Sequence, residues 1–457
     1  MDQIKFGTHG WRARADRDFN EKNVLRVTHG IARYLKEKYE HGTVVVGFDS
    51  REFSRDFART ASRALNGFGF NVMITTAPTP TPVMSLAVID NNAIAGIEVT
   101  ASHNPWVYNG IKVLTAMGAP APIEMTEKIE AHIPREEVKK TEGIANEFDP
   151  RETYFASLRQ KLDLSRVKEM KAVVDSMHGA GAGYLSRFLL EAGAAVQELH
   201  GDYAFNPNLN PEPKEDNLQE LRQAVLSTGA GIGIANDGDA DRIGVFDENG
   251  MYYTGNMLGL IVADYLVKAK GMHGNIARTV STTHALDRLC EKHGLGLVET
   301  PVGIRYLANE LINGAILAVE ESGGLGFGWH APEKDGIMSG ALMCEIIANS
   351  SKPLSEIWKE VASEYAYGEY LQVNVQKMQK LSMDLEMLKN EKSRTELAGR
   401  EIIERLDIDG IKYLLDDGSW VLIRESNTEP LVRIYIEAKD KNSADELYLA
   451  VRRLIGL

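Results

Sequence analysis

Cysteine is almost absent, with two residues, Cys290 and Cys344, in a chain of 457. Two thiols make neither a disulfide framework nor a zinc-binding pattern, and both are expected to pack as small core residues in a reducing cytoplasm. Long apolar runs are missing too, so no segment reads as a membrane span. The start, Met1-Asp2-Gln3-Ile4-Lys5, lacks the apolar stretch of a secretory signal. Positive charge is in deficit: the formal net charge is -14, which argues against a nucleic-acid surface. An anionic small molecule stays admissible, because a few local arginines matter more than the total. No strong internal repeat stands out along the chain.

The remainder has the composition of an ordinary soluble globular protein, 44% hydrophobic and 25% charged. Its length is too great for one core and predicts roughly three or four domains. Residues 21–38 place Val24, Val27, Ile31 and Leu35 at helical spacing. Buried-strand patterns follow at 43–49, 70–75 and 93–99, with a helix-like segment at 55–65 between the first two. This alternation implies a mainly parallel sheet covered on both faces. A second such unit starts at Lys171-Ala172-Val173-Val174-Asp175 and ends at 231–235. A third contains the strands 275–280 and 315–319. Beyond 367 the texture changes: residues 379–406 read as a long charged helix, and 420–424 and 431–436 as paired strands. The expected fold is therefore α/β. Three successive domains with mixed or parallel sheets, 1–148, 149–251 and 252–366, precede a C-terminal α+β domain, 367–457, around a central cleft.

Four polar loops carry the chemistry. Thr100-Ala101-Ser102-His103-Asn104-Pro105 follows an apolar strand and presents a hydroxyl nucleophile beside an imidazole. Ligands of parallel sheets bind beyond the carboxyl ends of strands, where Ser102 falls. A plain turn would use the same residues. Asp237-Gly238-Asp239-Ala240-Asp241-Arg242 offers three alternate carboxylates to one hard cation, the ligation that suits Mg²⁺. It is not an EF-hand, because Arg242 occupies the position that demands glycine. Arg242 either neutralises the aspartates or reaches a phosphate. Glu320-Glu321-Ser322-Gly323-Gly324 presents acceptors suited to sugar hydroxyls, and His330, Glu333, Lys334 and Asp335 extend that polar pocket. Arg424-Glu425-Ser426-Asn427-Thr428-Glu429-Pro430 gathers donors for a phosphate dianion without Walker-type glycines or lysine.

A serine, a cation site, a hydroxyl binder and a phosphate binder, about one per domain, describe phosphoryl transfer on a phosphorylated polyol. With all four motifs in order, the chain resembles the α-D-phosphohexomutases, the phosphoglucomutase/phosphomannomutase superfamily, over its whole length. The resemblance implies an enzyme that carries Ser102 as phosphoserine. Its Mg²⁺ would be held by that phosphate and by Asp237, Asp239 and Asp241. Arg12 and Lys112 match positions near the transferred phosphoryl group, with His103 and Lys112 as candidates for proton transfer. Glu320 and Ser322 match residues that grip sugar hydroxyls. Arg424, Ser426, Asn427 and Thr428 match the loop that holds the other phosphate, and Arg242 and Lys334 complete the substrate site.

The implied reaction interconverts hexose 1-phosphate and hexose 6-phosphate through hexose 1,6-bisphosphate, with glucose 1,6-bisphosphate as intermediate and activator. A cytoplasmic monomer or homodimer acting on a hexose phosphate is expected, with no nucleic acid or membrane partner. Regripping the substrate predicts a hinge near residue 367. His9, Ile304, Val319 and Glu425 depart from the usual motifs without removing a nucleophile or ligand. The sequence Glu-Glu-Ser-Gly-Gly with Glu333-Lys334-Asp335-Gly336 favours glucose phosphate, with mannose phosphate as a co-substrate. Phosphoglucosamine mutase is the rival within the class. A non-catalytic sugar-phosphate sensor and a Mg²⁺-dependent phosphatase are the rivals outside it.

Overall fold

The computed structural model describes residues 4–7, 9–140, 142–204, 210–377, 379–391, 393–426 and 431–456. Asn427 and Thr428, expected in the phosphate-binding loop, lie outside the described residues. Four sheets run in chain order, three of them mixed and the last antiparallel throughout.

In the first sheet, Thr43–Phe48, Asn71–Thr75 and Ala95–Val99 lie parallel. Tyr108–Thr115 then returns antiparallel beside Ala95–Val99. The second sheet repeats the device: Lys171–Asp175, Ala195–Leu199 and Ile232–Asn236 are parallel, and Ile243–Asp247 returns antiparallel. In the third, Ile276–Thr279, Leu297–Thr300 and Leu317–Val319 are parallel, and Leu325–Phe327 returns. Each of these return connections is one of the polar loops singled out above. The fourth loop joins the antiparallel neighbours Trp420–Glu425 and Leu431–Ala438. All four therefore link neighbouring antiparallel strands, a setting that fixes both ends of a loop through the strand ladder.

Helices cover the parallel strands for the reasons their sequences give. Glu21–Lys38 is capped by Asn20, whose side chain accepts from the Asn23 N–H, and it buries Val24, Val27, Ile31 and Leu35. Gly255–Lys268 and Gly336–Ser350 bury most of their length. They sit in one continuous apolar core that also takes in Val174, Ile234, Leu317 and Leu325. The second and third sheets thus share a core, while the first and fourth keep cores of their own.

One sequence expectation fails. The segment 379–406 is not a single helix: Gln379–Asn390 is helical, and Glu396–Leu397 and Arg400–Leu406 are strands. Arg400–Leu406 pairs with Ile411–Leu415, and this long-range pairing overrides the local helical preference of its charged residues.

The fourth sheet docks on the third domain through a small buried seam. Val280, Trp420, Leu422 and Tyr435 form its apolar part. Beside them the Lys412 ammonium donates to the Val280 carbonyl at 2.9 Å and to Glu299 at 2.7 Å. Glu437 accepts from the Thr283 hydroxyl, the His284 N–H and the Trp420 indole. Burial, with Arg278 close by, lowers Lys412 to about 8 against the opposing pull of Glu299. The unfolded chain keeps this proton to about pH 10.4. Between those two values the unfolded state binds more protons, so this group makes stability rise with pH across the window. Lys412→Met removes the titrating group and leaves Glu299 with Arg278. In thermal melts the wild-type midpoint should gain on that of the variant as pH rises from about 8 to about 10. Parallel curves would show that the buried lysine does not titrate.

Candidate active site

Ser102 sits on the first return loop, almost fully buried and with a positive φ of 52°. That left-handed conformation is unusual for a residue with a side chain and needs external support. Arg51 supplies it. Its guanidinium donates to the carbonyls of Ser102 at 2.5 Å and Asn104 at 2.6 Å, and to those of Pro105 and Tyr108 at 2.9 Å. Asp49 holds Arg51 through an ion pair of 3.0 Å, and Trp106 packs on the guanidinium face. The Ser102 hydroxyl donates to Asp237 at 2.8 Å and lies 3.4 Å from His103 Nδ1. Such close approach depends on Gly238, because a Cβ there would stand 2.5 Å from the Ser102 carbonyl oxygen.

The aspartate loop folds over its own backbone. Asp237 accepts from the N–H groups of Asp241 and Arg242, which curls the loop and draws the three carboxylates together. Asp237, Asp239 and Asp241 are buried, and each has an oxygen within 4.8 Å of the others. Burial together with Asp241 and Asp239 pushes the Asp237 carboxyl well above its usual range. The outer oxygen of Asp239 is buried without a hydrogen-bond partner. Three crowded carboxylates with an orphaned oxygen are the donor set of a hard divalent cation, so these residues fit Mg²⁺.

Cations ring this cluster. The Lys112 ammonium pairs with Asp239 and lies 3.3 Å from Asp241. Burial would lower Lys112, but Asp239 and Asp241 outweigh it and raise the ammonium above its ordinary value. Lys112 also donates to the Thr81 hydroxyl at 2.9 Å. That hydroxyl is 2.6 Å from both Glu98 and Asp239, yet it has one proton to give. One of the two carboxyls must therefore donate to it. Glu98 is that group, raised well above its ordinary value by burial despite the nearby Lys112. The His103 imidazole is held neutral by burial and by Arg242 and Arg12, well below the usual histidine value. Arg12 donates to the Asn104 side chain on the same loop.

The third domain brings Lys334 to within 3.3 Å of Asp241 and 3.7 Å of Glu320. Glu320 accepts from the Ser322 hydroxyl at 2.9 Å. Arg242 faces Asp241 at 3.7 Å and Glu212 at 4.0 Å. Asp335 and His330 serve the framework: Asp335 caps helix Gly336–Ser350 and accepts from Tyr154 and His330. The loops of three domains therefore meet directly. On the fourth, Arg424 pairs among the described residues with Asp409 at 2.9 Å, not with those three loops, and Asp409 also accepts from the Val302 N–H. Ser426 lies at the end of its strand, with its N–H on the Leu431 carbonyl. Sequence reading missed Arg51, Thr81 and Glu98. A GFDSR segment closing a buried strand was the available hint for Arg51; nothing local marked the other two.

Models of the phosphoglucomutase/phosphomannomutase family match the chain in all four of their parts. The alpha/beta/alpha domains I, II and III match residues 3–140, 152–250 and 254–365, and the C-terminal domain matches 371–454. A phosphoglucomutase/phosphomannomutase of Thermococcus kodakarensis is 32% identical over 460 residues, covering 98% of each chain. A phosphoglucosamine mutase of Carboxydothermus hydrogenoformans is 31% identical over 452 residues, covering 97% of each. The crystal structure of a candidate phosphomannomutase from Thermus thermophilus superposes with a TM-score of 0.88 at 34% identity over the whole of both chains.

Arg51→Lys keeps the charge but loses the fork that holds four carbonyls. It should cost about 3 kcal/mol of stability, because buried carbonyls left without donors cost about 1–3 kcal/mol each. Amide exchange should quicken across residues 100–108 while the second domain stays protected. Unchanged protection in that loop would show that Arg51 does not hold it.

Proposed function

The chain belongs to the phosphoglucomutase/phosphomannomutase family, and from that premise we propose that it interconverts hexose 1-phosphate and hexose 6-phosphate through a phosphoserine at Ser102. Glucose phosphate is the favoured substrate and mannose phosphate a co-substrate. The reading rests above all on one observation: the Ser102 hydroxyl is hydrogen-bonded to Asp237 at the edge of a buried, cation-ringed carboxylate cluster.

Phosphoryl transfer needs positioning and charge neutralisation more than covalent help from the protein. Asp237, Asp239 and Asp241, with the Ser102 phosphate, would hold Mg²⁺, which when bound would supply charge neutralisation at the transferring group. Arg12, Lys112 and Arg242 add fixed positive charge around it. The sugar hydroxyl attacks phosphorus as the bond to Ser102 Oγ breaks, giving hexose 1,6-bisphosphate and free serine. Neutral His103, 3.4 Å from Ser102 Oγ, is placed to take the sugar proton and return it to that oxygen. Lys112, held charged by the aspartates, is the neutraliser of the pair. Glu320 and Ser322 orient the sugar hydroxyls beside Lys334. Arg424, Ser426, Asn427 and Thr428 hold the non-transferring phosphate, and Arg424 exchanges its partner Asp409 for that phosphate.

Turning the bisphosphate over requires the fourth domain to release and regrip, about a hinge near 367, by parting seam contacts such as Lys412 with Glu299. Glucose 1,6-bisphosphate, if the enzyme loses it, rephosphorylates Ser102 and so acts as activator. A monomer or a homodimer is compatible with this scheme. The free, buried cysteines support a reducing cytoplasmic setting.

Ser102→Ala should abolish mutase turnover of glucose 1-phosphate; isomerisation that persists unchanged would overturn the phosphoserine route. Chelation of divalent cations should likewise stop turnover, and activity left intact would remove the role given to the three aspartates. Steady-state comparison of glucose, mannose and glucosamine 1-phosphates should give glucose the highest kcat/KM. A clear preference for glucosamine phosphate would reassign the substrate within the class.

A further inference from the structure

His9 belongs to the opening motif, and the scheme above leaves it without a task. Its place in the fold is tightly set. The Gly7 N–H bonds the Gly10 carbonyl at 2.8 Å; Gly10 takes a φ of 101°, and a Cβ there would stand 2.5 Å from the Ile111 carbonyl oxygen, so the position needs glycine. The His9 imidazole lies at the junction of three domains. Its Nε2 lies 3.1 Å from a Glu333 oxygen of the third domain, and its Nδ1 lies 3.8 Å from Asp241 of the second. The His9 side chain is 9% exposed, and Glu333 is fully buried.

Glu333 uses its other oxygen on the backbone: it accepts the N–H of Lys334 at 2.9 Å. The carboxylate thus joins His9 to the peptide that carries Lys334. From that peptide the Lys334 ammonium reaches both Asp241 and Glu320, the metal loop and the sugar loop. A buried carboxyl oxygen without a partner is costly, so the His9 contact fixes the orientation of Glu333. His9, Asp241 and Glu333 also lie close enough to share a cation. Asp241 already belongs to the triad that fits Mg²⁺, and the Glu333 contact links His9 to the Lys334 peptide, so we read this group as a tie between loops.

We propose that His9 is a positioning residue for the sugar phosphate: by orienting Glu333 across the domain boundary, it holds Lys334 where the substrate binds. The inference rests on the mutase reading above. It assigns His9 a role in positioning Lys334 through Glu333.

Steady-state kinetics of the full chain with glucose 1-phosphate, at saturating Mg²⁺, separates the roles. His9→Ala should raise KM about tenfold with kcat within about twofold, the pattern of lost uniform binding. His9→Gln places an amide nitrogen near the position of Nε2 and should restore KM to within about threefold of wild type. The Mg²⁺ concentration for half-maximal activity should stay within about twofold in both variants. An unchanged KM in His9→Ala overturns the proposal. So does equal impairment of both variants, which would mark His9 as filler, and so does a shifted Mg²⁺ requirement with constant KM, which would place its action on Asp241. Should His9→Ala fail to fold, His9→Gln alone decides: a tenfold rise in its KM contradicts the tie, and a near-wild-type KM supports it. Wild-type protein inactive on all three hexose phosphates would instead overturn the mutase reading, and this inference with it.

Discussion

Three carboxylates withdrawn from water within one short loop cannot all stay ionised unless positive charge surrounds them. Asp237, Asp239 and Asp241 are in that position, and the charge that balances them comes from other parts of the chain. Lys112 arrives on a strand of the first domain and Lys334 from the third. Arg242 stands on the loop itself. Removing one partner of such a network leaves a bare buried charge, which costs several kcal/mol. Compensation across domain boundaries therefore makes the first three domains depend on one another for charge balance. It also readies the site for phosphates, whose charge needs the same cations.

The fold meets this requirement by repeating one local solution. A buried strand ends in a polar loop, and the chain returns antiparallel beside it, four times. Both ends of each loop are anchored in a ladder, so a side chain such as Ser102 can hold a strained backbone conformation. The shared core of the second and third domains fixes the aspartate loop relative to Glu320 and Lys334. The fourth domain differs. Its seam with the third combines an apolar cluster with buried polar and ionic contacts, in keeping with an inter-domain interface that can part and re-form.

Much of this was legible in the sequence because the signals are local. Strand-then-polar-loop patterns around Ser102, Asp237, Glu320 and Arg424 each occupy about a dozen residues, and the α/β alternation is periodic. The structure brings the first three of those loops into contact, which no local pattern announces. Arg51 was invisible as a loop holder because its partners lie fifty residues on, at Ser102 and Asn104. Thr81 and Glu98 acquire meaning only from proton counting around one hydroxyl. Residues 379–406 were misread for the same reason: charge and helix preference are local, whereas the pairing of Arg400–Leu406 with Ile411–Leu415 is not. Asp335 looked like a site residue and is a helix cap, a distinction that required its partners Tyr154 and Met338.

The central claim is that Ser102 carries the phosphoryl group. Intact-mass spectrometry before and after incubation with glucose 1,6-bisphosphate, followed by peptide mapping, tests it directly. The account predicts that the protein gains at most one phosphoryl group, that the treated form is fully modified, and that the group maps to Ser102. A protein that stays unmodified after treatment, or that carries the group on another residue, would contradict it.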